Sequence, residues 1–222
     1  VVCPTRRPPV LTRVLCSAAS EVYKGQMAHY DALTNLPNRV LFAERLKQAM
    51  AQARRQEYRL AVLYIDLDFF KSVNDLHGHD CGDRVLQQAA ACIQAVVRKG
   101  DVIARLSGDE LAAIIELDTE DQLKAVCERM THVFRAPVMV EHREYFLSAS
   151  VGAAIYPNHG ETAGELLQNA DRAMYTAKLA GRACYRIYSA SEIQHGQQQQ
   201  RLSNLLMIYV KDNKLRPVGS YV

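Results

Sequence analysis

The feature that most constrains this chain is the run Leu60-Ala-Val-Leu-Tyr-Ile65, free of charge until it meets Asp66-Leu67-Asp68. A run this short, this apolar and bounded by charged residues reads as a strand over residues 60–65 buried on both faces of its sheet. Such a strand needs helices on either side, so the domain has to be layered. It also fixes two carboxylates where the strand ends. Being two residues apart on extended backbone, they point the same way.

The flanking segments supply the layers. Residues 39–56 carry Leu41, Phe42, Leu46, Ala49 and Met50 at helical spacing behind Asn38, a capping residue. A Gly/Asp-rich stretch (Gly78, Asp80, Gly82, Asp83) reads as loop, and residues 85–97 then place Leu86, Ala89, Ala90, Ile93 and Val97 on one helical face. Residues 102–106 and 111–117 read as the strands of a tight hairpin with Ser107-Gly-Asp-Glu110 at its tip. A helix over 123–134, a strand region over 145–155, a helix over 163–179 and a returning strand over 184–188 complete the pattern. This order predicts an α+β domain of α/β type over residues 27–189, with a central mixed sheet of five or more strands flanked by helices. Residues 1–26, with Pro4, Pro8 and Pro9, read as a linker followed by a short helix. Residues 190–222, opening on a glutamine cluster, read as a tail.

Composition narrows the function. Of 222 residues 49% are hydrophobic and 23% charged, the profile of a soluble globular chain. A net charge of +3 is too small to argue for nucleic acid or a membrane surface. No apolar run approaches the roughly 18 residues that span a bilayer. Six cysteines without a Cys-x-x-Cys pair fit reduced thiols and a cytoplasmic location.

Asp66 and Asp68 at a strand end, and Asp109 and Glu110 at a hairpin tip of the same sheet, bring four carboxylates within reach of convergence. All-oxygen ligands of this kind suit magnesium, which takes one or two carboxylates and leaves its other positions to phosphates and water. Spacing alone favours the plainer reading, Asp68 as the cap of a helix beginning at Phe69 and Asp109-Glu110 as a polar hairpin tip. Phe69-Phe70-Lys71 opens a helical stretch whose free amides could receive phosphate oxygens. Lys178 and Arg182, four apart near a helix end at Gly181, could add cations. His77 and His79 lack a metal-like companion and read as loop residues.

Taken together, Asp31-Ala-Leu-Thr-Asn-Leu-Pro-Asn-Arg39, Asp66-Leu-Asp-Phe-Phe-Lys71 with Asn74-Asp75, Gly78-His-Asp-Cys-Gly-Asp83, Arg105-Leu-Ser-Gly-Asp-Glu-Leu111 and Ala170-Asp-Arg-Ala-Met-Tyr-Thr-Ala-Lys178 with Gly181-Arg182 resemble the ordered motifs of the GGDEF family of diguanylate cyclases. The resemblance implies a sheet like the palm of adenylyl cyclases. It implies magnesium, with manganese as an alternative, on Asp66, Asp109 and the Leu67 carbonyl. The triphosphate of GTP would meet Phe69, Phe70, Lys71, Lys178 and Arg182, with Ser107 and Gly108 at the turn beside it. Asn74 and Asp83 would read guanine, a carboxylate accepting from its N1 and N2 donors. Glu110 would activate the ribose 3′-hydroxyl against a GTP held by a second copy, so a homodimer follows. Arg98 and Asp101 match the family's Arg-x-x-Asp site, which binds the product cyclic di-GMP and inhibits.

Two positions depart from the family signature. Ser107 replaces its first glycine, which predicts crowding of GTP or an unfavourable positive φ at the turn. Leu111 replaces its phenylalanine, a loss of ring packing worth about 1 kcal/mol. With the acidic pair retained, the expectation is activity, if reduced, rather than a dead site. The competing expectation is a catalytically silent module that binds GTP or cyclic di-GMP and regulates a partner. A purely structural domain would require every one of these carboxylates to be a cap or loop residue.

Overall fold

The apolar run lies at the centre of the sheet. A computed structural model describes residues 29–190 and places β1 (Arg59–Asp68) between β3 (Glu110–Leu117) and β6 (Ser148–Tyr156), in the order β2-β3-β1-β6-β7. The pairings of β1 with β3 and β6, and of β2 (Val102–Ser107) with β3, are antiparallel. Only β7 (Tyr185–Ile187) runs parallel to its neighbour β6, which makes the sheet mixed, as expected. β1 outruns the expected residues 60–65 because Asp66, Leu67 and Asp68 still pair with Ser150, Ala149 and Ser148. The carboxylates are therefore on a paired strand and not in a loop.

Alternation along β1 divides the core. Ala61, Leu63, Ile65 and Leu67 pack on one face against α3 (His79–Val96) and α4 (Glu120–His132). Leu60, Val62 and Tyr64 pack on the other, against α1 (Arg39–Gln56) and α5 (Ala163–Leu179). Truncating a fully buried residue such as Leu63 to alanine removes about 2–5 kcal/mol, because the interior collapses only partly around the gap. Gly152 in β6 lets α5 lie directly on the sheet: a Cβ there would stand 2.0 Å from both the Ala170 carbonyl oxygen and the Met174 amide nitrogen.

Local signals set the two helices of that layer. The Asn38 side chain accepts from the amides of Val40 and Leu41, capping α1 where expected. Thr162 and Glu165 close a reciprocal capping box at the start of α5.

Elsewhere the structure corrects the reading. The Gly/Asp-rich stretch is not a loop: α2 (Phe70–His77) meets α3 at Gly78, whose φ of 83° makes the corner, and residues 79–83 are the first turn and more of α3. His77 and His79 are thus helix-end residues, and the His77 ring meets Tyr145 edge-on at 5.3 Å. Helix α4 stops at His132 and gives way to a 3-10 turn over Val133–Arg135. The expected strand over 145–155 is split, since Arg143–Tyr145 (β5) pairs with Val138–Val140 (β4) in a separate ribbon. Three-residue strands carry too few alternations to be seen in sequence. The readings made for residues 1–28 and 191–222 lie outside the described residues.

Candidate active site

The face of β1 that carries Tyr64 also carries Asp66 and Asp68, all three at least nine-tenths buried. The two carboxylates have different partners. Asp68 accepts from the Ser148 hydroxyl at 2.7 Å, the Ser150 hydroxyl at 2.7 Å and the Ala183 amide at 3.1 Å, with Arg182 Nε at 3.9 Å. It does not cap α2: the cap position is Phe69, which makes no side-chain bond there. Asp68 instead ties β1 to β6 and to the turn after α5.

Asp66 is left for the site. Its Oδ2 lies 2.7 Å from Lys178 Nζ, in the last turn of α5. Burial pushes its carboxyl above the usual range; Lys178 opposes this, and the charges of Asp109 and Asp68 add to it. The Leu67 side chain is fully buried in the core, so only its backbone can serve the site. Its amide donates to the Asp109 carbonyl at 3.4 Å and ties the hairpin tip to the end of β1.

The tip itself is pinned from behind. Arg105 Nε donates to the Gly108 carbonyl at 2.9 Å while Arg105 Nη1 grips Asp31. The positive φ feared for Ser107 falls on Gly108, at 44°, so the serine sits in ordinary backbone and that expectation is corrected. Ser107 Oγ donates to the Glu110 carboxylate. Leu111 is fully buried.

Two residues near Glu110 were missed from sequence. Burial raises the pKa of the Tyr64 hydroxyl, and the Glu110 carboxylate against it raises it further. Burial and the Glu110 charge likewise raise the carboxyl of Asp171 on α5. Both had a signal: Tyr64 is two residues before Asp66 on a strand, and Asp171 is two helical turns before Lys178.

The four carboxylates do not form one cluster. Among the described residues, no three His, Cys, Asp or Glu side chains gather as a metal cage. Asp68 is spent on structure and Glu110 is held by the Ser107 hydroxyl, leaving Asp66 and Asp109. Two carboxylates beside a backbone carbonyl fit a magnesium-like ion that keeps its remaining positions for phosphate and water.

Around this centre the other expected residues take distinct positions. Phe69 has a φ of 61° and an exposed ring, with the Arg182 guanidinium 4.8 Å above its centroid. Phe70 is buried, and Lys71 is exposed on the first turn of α2. The amides at the start of α2 therefore lie just beyond Asp68, on the side of Arg182. Arg182 stands past the end of α5, with a φ of 64°, the helix stopping at Leu179 close to the end expected at Gly181. Asn74 on α2 packs against Gly82 of α3, where a Cβ would stand 1.7 Å from Asn74 Oδ1, and Asp83 is exposed beside it. Arg98 and Asp101 are set apart, before β2 and at its far end from the tip. The Arg98 amide donates to Asp101 Oδ2 at 2.9 Å, and burial raises the pKa of the Asp101 carboxyl.

The four cysteines within the described residues, Cys81, Cys92, Cys127 and Cys184, are free thiols. No helix among those residues is long and apolar enough to cross a membrane.

Known proteins are similar to this chain in sequence and fold. The family profile described as "Diguanylate cyclase, GGDEF domain" matches residues 28–184. The chain is 43% identical over 196 residues to the bifunctional diguanylate cyclase/cyclic di-GMP phosphodiesterase MucR of Pseudomonas aeruginosa, covering 88% of this chain and 28% of MucR. It is 39% identical to the diguanylate cyclase TpbB of the same organism, covering 72% of this chain and 37% of TpbB. The chain thus spans well under half of these relatives. The solved structure of a TpbB mutant comprising only its GGDEF domain gives a TM-score of 0.74 at 37% identity, over 76% of this chain and 99% of that one. The coiled coil and GGDEF domain of DgcB from Caulobacter crescentus, solved with c-di-GMP, gives 0.66 at 26% identity, over 82% and 100%. Sequence motifs, sheet order and relatives agree, and this chain belongs to the GGDEF family.

Proposed function

We propose that the domain is a diguanylate cyclase that condenses two GTP molecules into cyclic di-GMP and two pyrophosphates between two facing copies. The observation that carries this reading is the meeting of Asp66, Lys178 and the Asp109-Glu110 turn at one end of β1 and β3. Carboxylates and a cation gathered in this way are the groups needed to hold a triphosphate next to a reacting hydroxyl, which supports the reading.

The residues divide the work. Lys178, Arg182, Lys71 and the amides at Phe69 and Phe70 bind and orient the triphosphate, with Gly108 leaving room beside the turn. Asn74 and Asp83 take the guanine edge. Asp66, Asp109 and the Leu67 carbonyl would hold a magnesium or manganese ion, whose chemistry here is to neutralise charge on phosphate oxygens. Glu110 accepts the proton of the ribose 3′-hydroxyl as that oxygen bonds to the α-phosphorus of the GTP on the other copy. The bond from that phosphorus to the pyrophosphate oxygen breaks, and repetition in the opposite sense closes the ring. The Arg98/Asp101 turn, away from the centre, is suited to binding the product and restraining the reaction. With GTP as substrate, the compartment is the cytoplasm.

The altered turn, with Ser107 and Leu111 in place of the signature's glycine and phenylalanine, favours a second reading, a silent module that binds GTP or cyclic di-GMP. A 35% identical relative, NbdA of Pseudomonas aeruginosa, is named a cyclic di-GMP phosphodiesterase. Incubation of purified protein with GTP and magnesium, with cyclic di-GMP and pyrophosphate followed by chromatography, separates the two. The cyclase reading expects two pyrophosphates for each cyclic di-GMP formed, at a rate rising steeply with protein concentration, and the loss of both products in Asp109→Ala or with a chelator. Bound guanine nucleotide without pyrophosphate, at concentrations that force pairing and after bound product is stripped, would leave the silent module.

A further inference from the structure

Ser107 stands where the family signature has a glycine, and its hydroxyl is engaged. Ser107 Oγ donates to the Glu110 carboxylate, closing a side-chain bond across the hairpin tip. A register shift in the pairing of β2 with β3, between Arg105 and Ser107, sets Ser107 directly opposite Glu110. The bulge is itself fixed, because Arg105 holds the Gly108 carbonyl on one side and Asp31 on the other. The Ser107 hydroxyl therefore braces the one side chain assigned to take the proton.

We propose that Ser107 is a positioning residue for Glu110, its hydroxyl fixing the carboxylate rotamer that faces the ribose 3′-hydroxyl. A glycine at this position has no group with which to do so. The serine is then a gain in preorganisation at the turn, and not only a crowding of it. The inference rests on the cyclase reading.

Steady-state cyclic di-GMP formation as a function of GTP concentration tests it in Ser107→Ala, Ser107→Gly and Ser107→Thr. Ser107 is exposed at the tip of a turn, and matching unfolding midpoints will confirm that all three fold. The alanine and glycine variants should lose about tenfold in kcat with KM changed by no more than about twofold, since a loosened base costs rate and not ground-state binding. Threonine, which keeps the hydroxyl, should recover most of the loss. An active wild type whose kcat is unmoved by Ser107→Ala, or moved only through KM, or not restored by threonine, overturns the inference and leaves the cyclase reading standing. A wild type that makes no product overturns both.

Discussion

Arg105 and Asp31, 74 positions apart in the chain, form a two-pronged ion pair with Arg105 Nη1 2.9 Å from Oδ1 and 3.0 Å from Oδ2. The same guanidinium holds the Gly108 carbonyl, so the segment before α1 is coupled directly to the hairpin tip that carries Asp109 and Glu110. The pair sets the position of the turn, and any change in the segment before α1 reaches the site through it.

Burial alone would raise the Asp31 carboxyl, but hydrogen bonds from Arg105 and Thr34, with the Arg105 charge, hold it below the ordinary 3.8. A carboxyl depressed in the folded state stabilises the fold above its unfolded value and loses that contribution as pH falls through the folded value. Asp31→Asn should therefore unfold about 1–2 kcal/mol more easily at pH 7, with both side chains only partly exposed. The gap should close as the buffer is taken below about pH 4. Urea titrations of both proteins across that range check this; a gap that persists unchanged in acid would mean that packing, not ionisation, supplies the difference.

Gly152 fixes how closely α5 approaches the sheet, and hence whether Lys178 reaches Asp66. The atoms that a Cβ would strike belong to helix backbone and cannot rotate away. Gly152→Ala should cost about 3 kcal/mol or more, at the severe end for an added methyl group. Any folded fraction should show a weakened response to GTP. A loss under about 1 kcal/mol in equilibrium unfolding would show that α5 can lift without consequence.

What the sequence carried depended on how far away the deciding partner lies. The bounds of α1 and α5 follow from apolar spacing and from caps at Asn38 and Thr162, all within a few residues. The strand β1 was evident from its uniform apolarity. Asp68 could not be read, because it is Ser148 and Ser150, 80 and 82 positions on, that turn it from a candidate ligand or cap into a tie between strands. The loop assigned around Gly78 and Gly82 failed for a related reason. Glycine there signals a corner at one position and a close approach at the other, and sequence does not separate the two uses. The roles of Asp66, Asp109 and Glu110 came from the family resemblance, and the structure adds the Ser107 hydroxyl that holds Glu110 and the lysine that faces Asp66.

That second use of glycine gives a test of the guanine contact. Gly82 lies within α3, buried, with Asn74 Oδ1 filling the space that a side chain would need. Alanine is the better helix former by about 1 kcal/mol, so Gly82→Ala on stability grounds should hold or raise the unfolding midpoint. The atom displaced is the end of an asparagine side chain, which can swing aside without disturbing the fold. Swinging aside takes Asn74 away from the purine edge that it and Asp83 are proposed to read. Losing one such hydrogen bond should raise KM for GTP about tenfold and reduce discrimination against ATP by a similar factor, with kcat little changed. Steady-state kinetics with both nucleotides, beside a thermal melt, measure the two effects separately. A raised midpoint with KM and selectivity unmoved would remove Asn74 from the recognition of guanine.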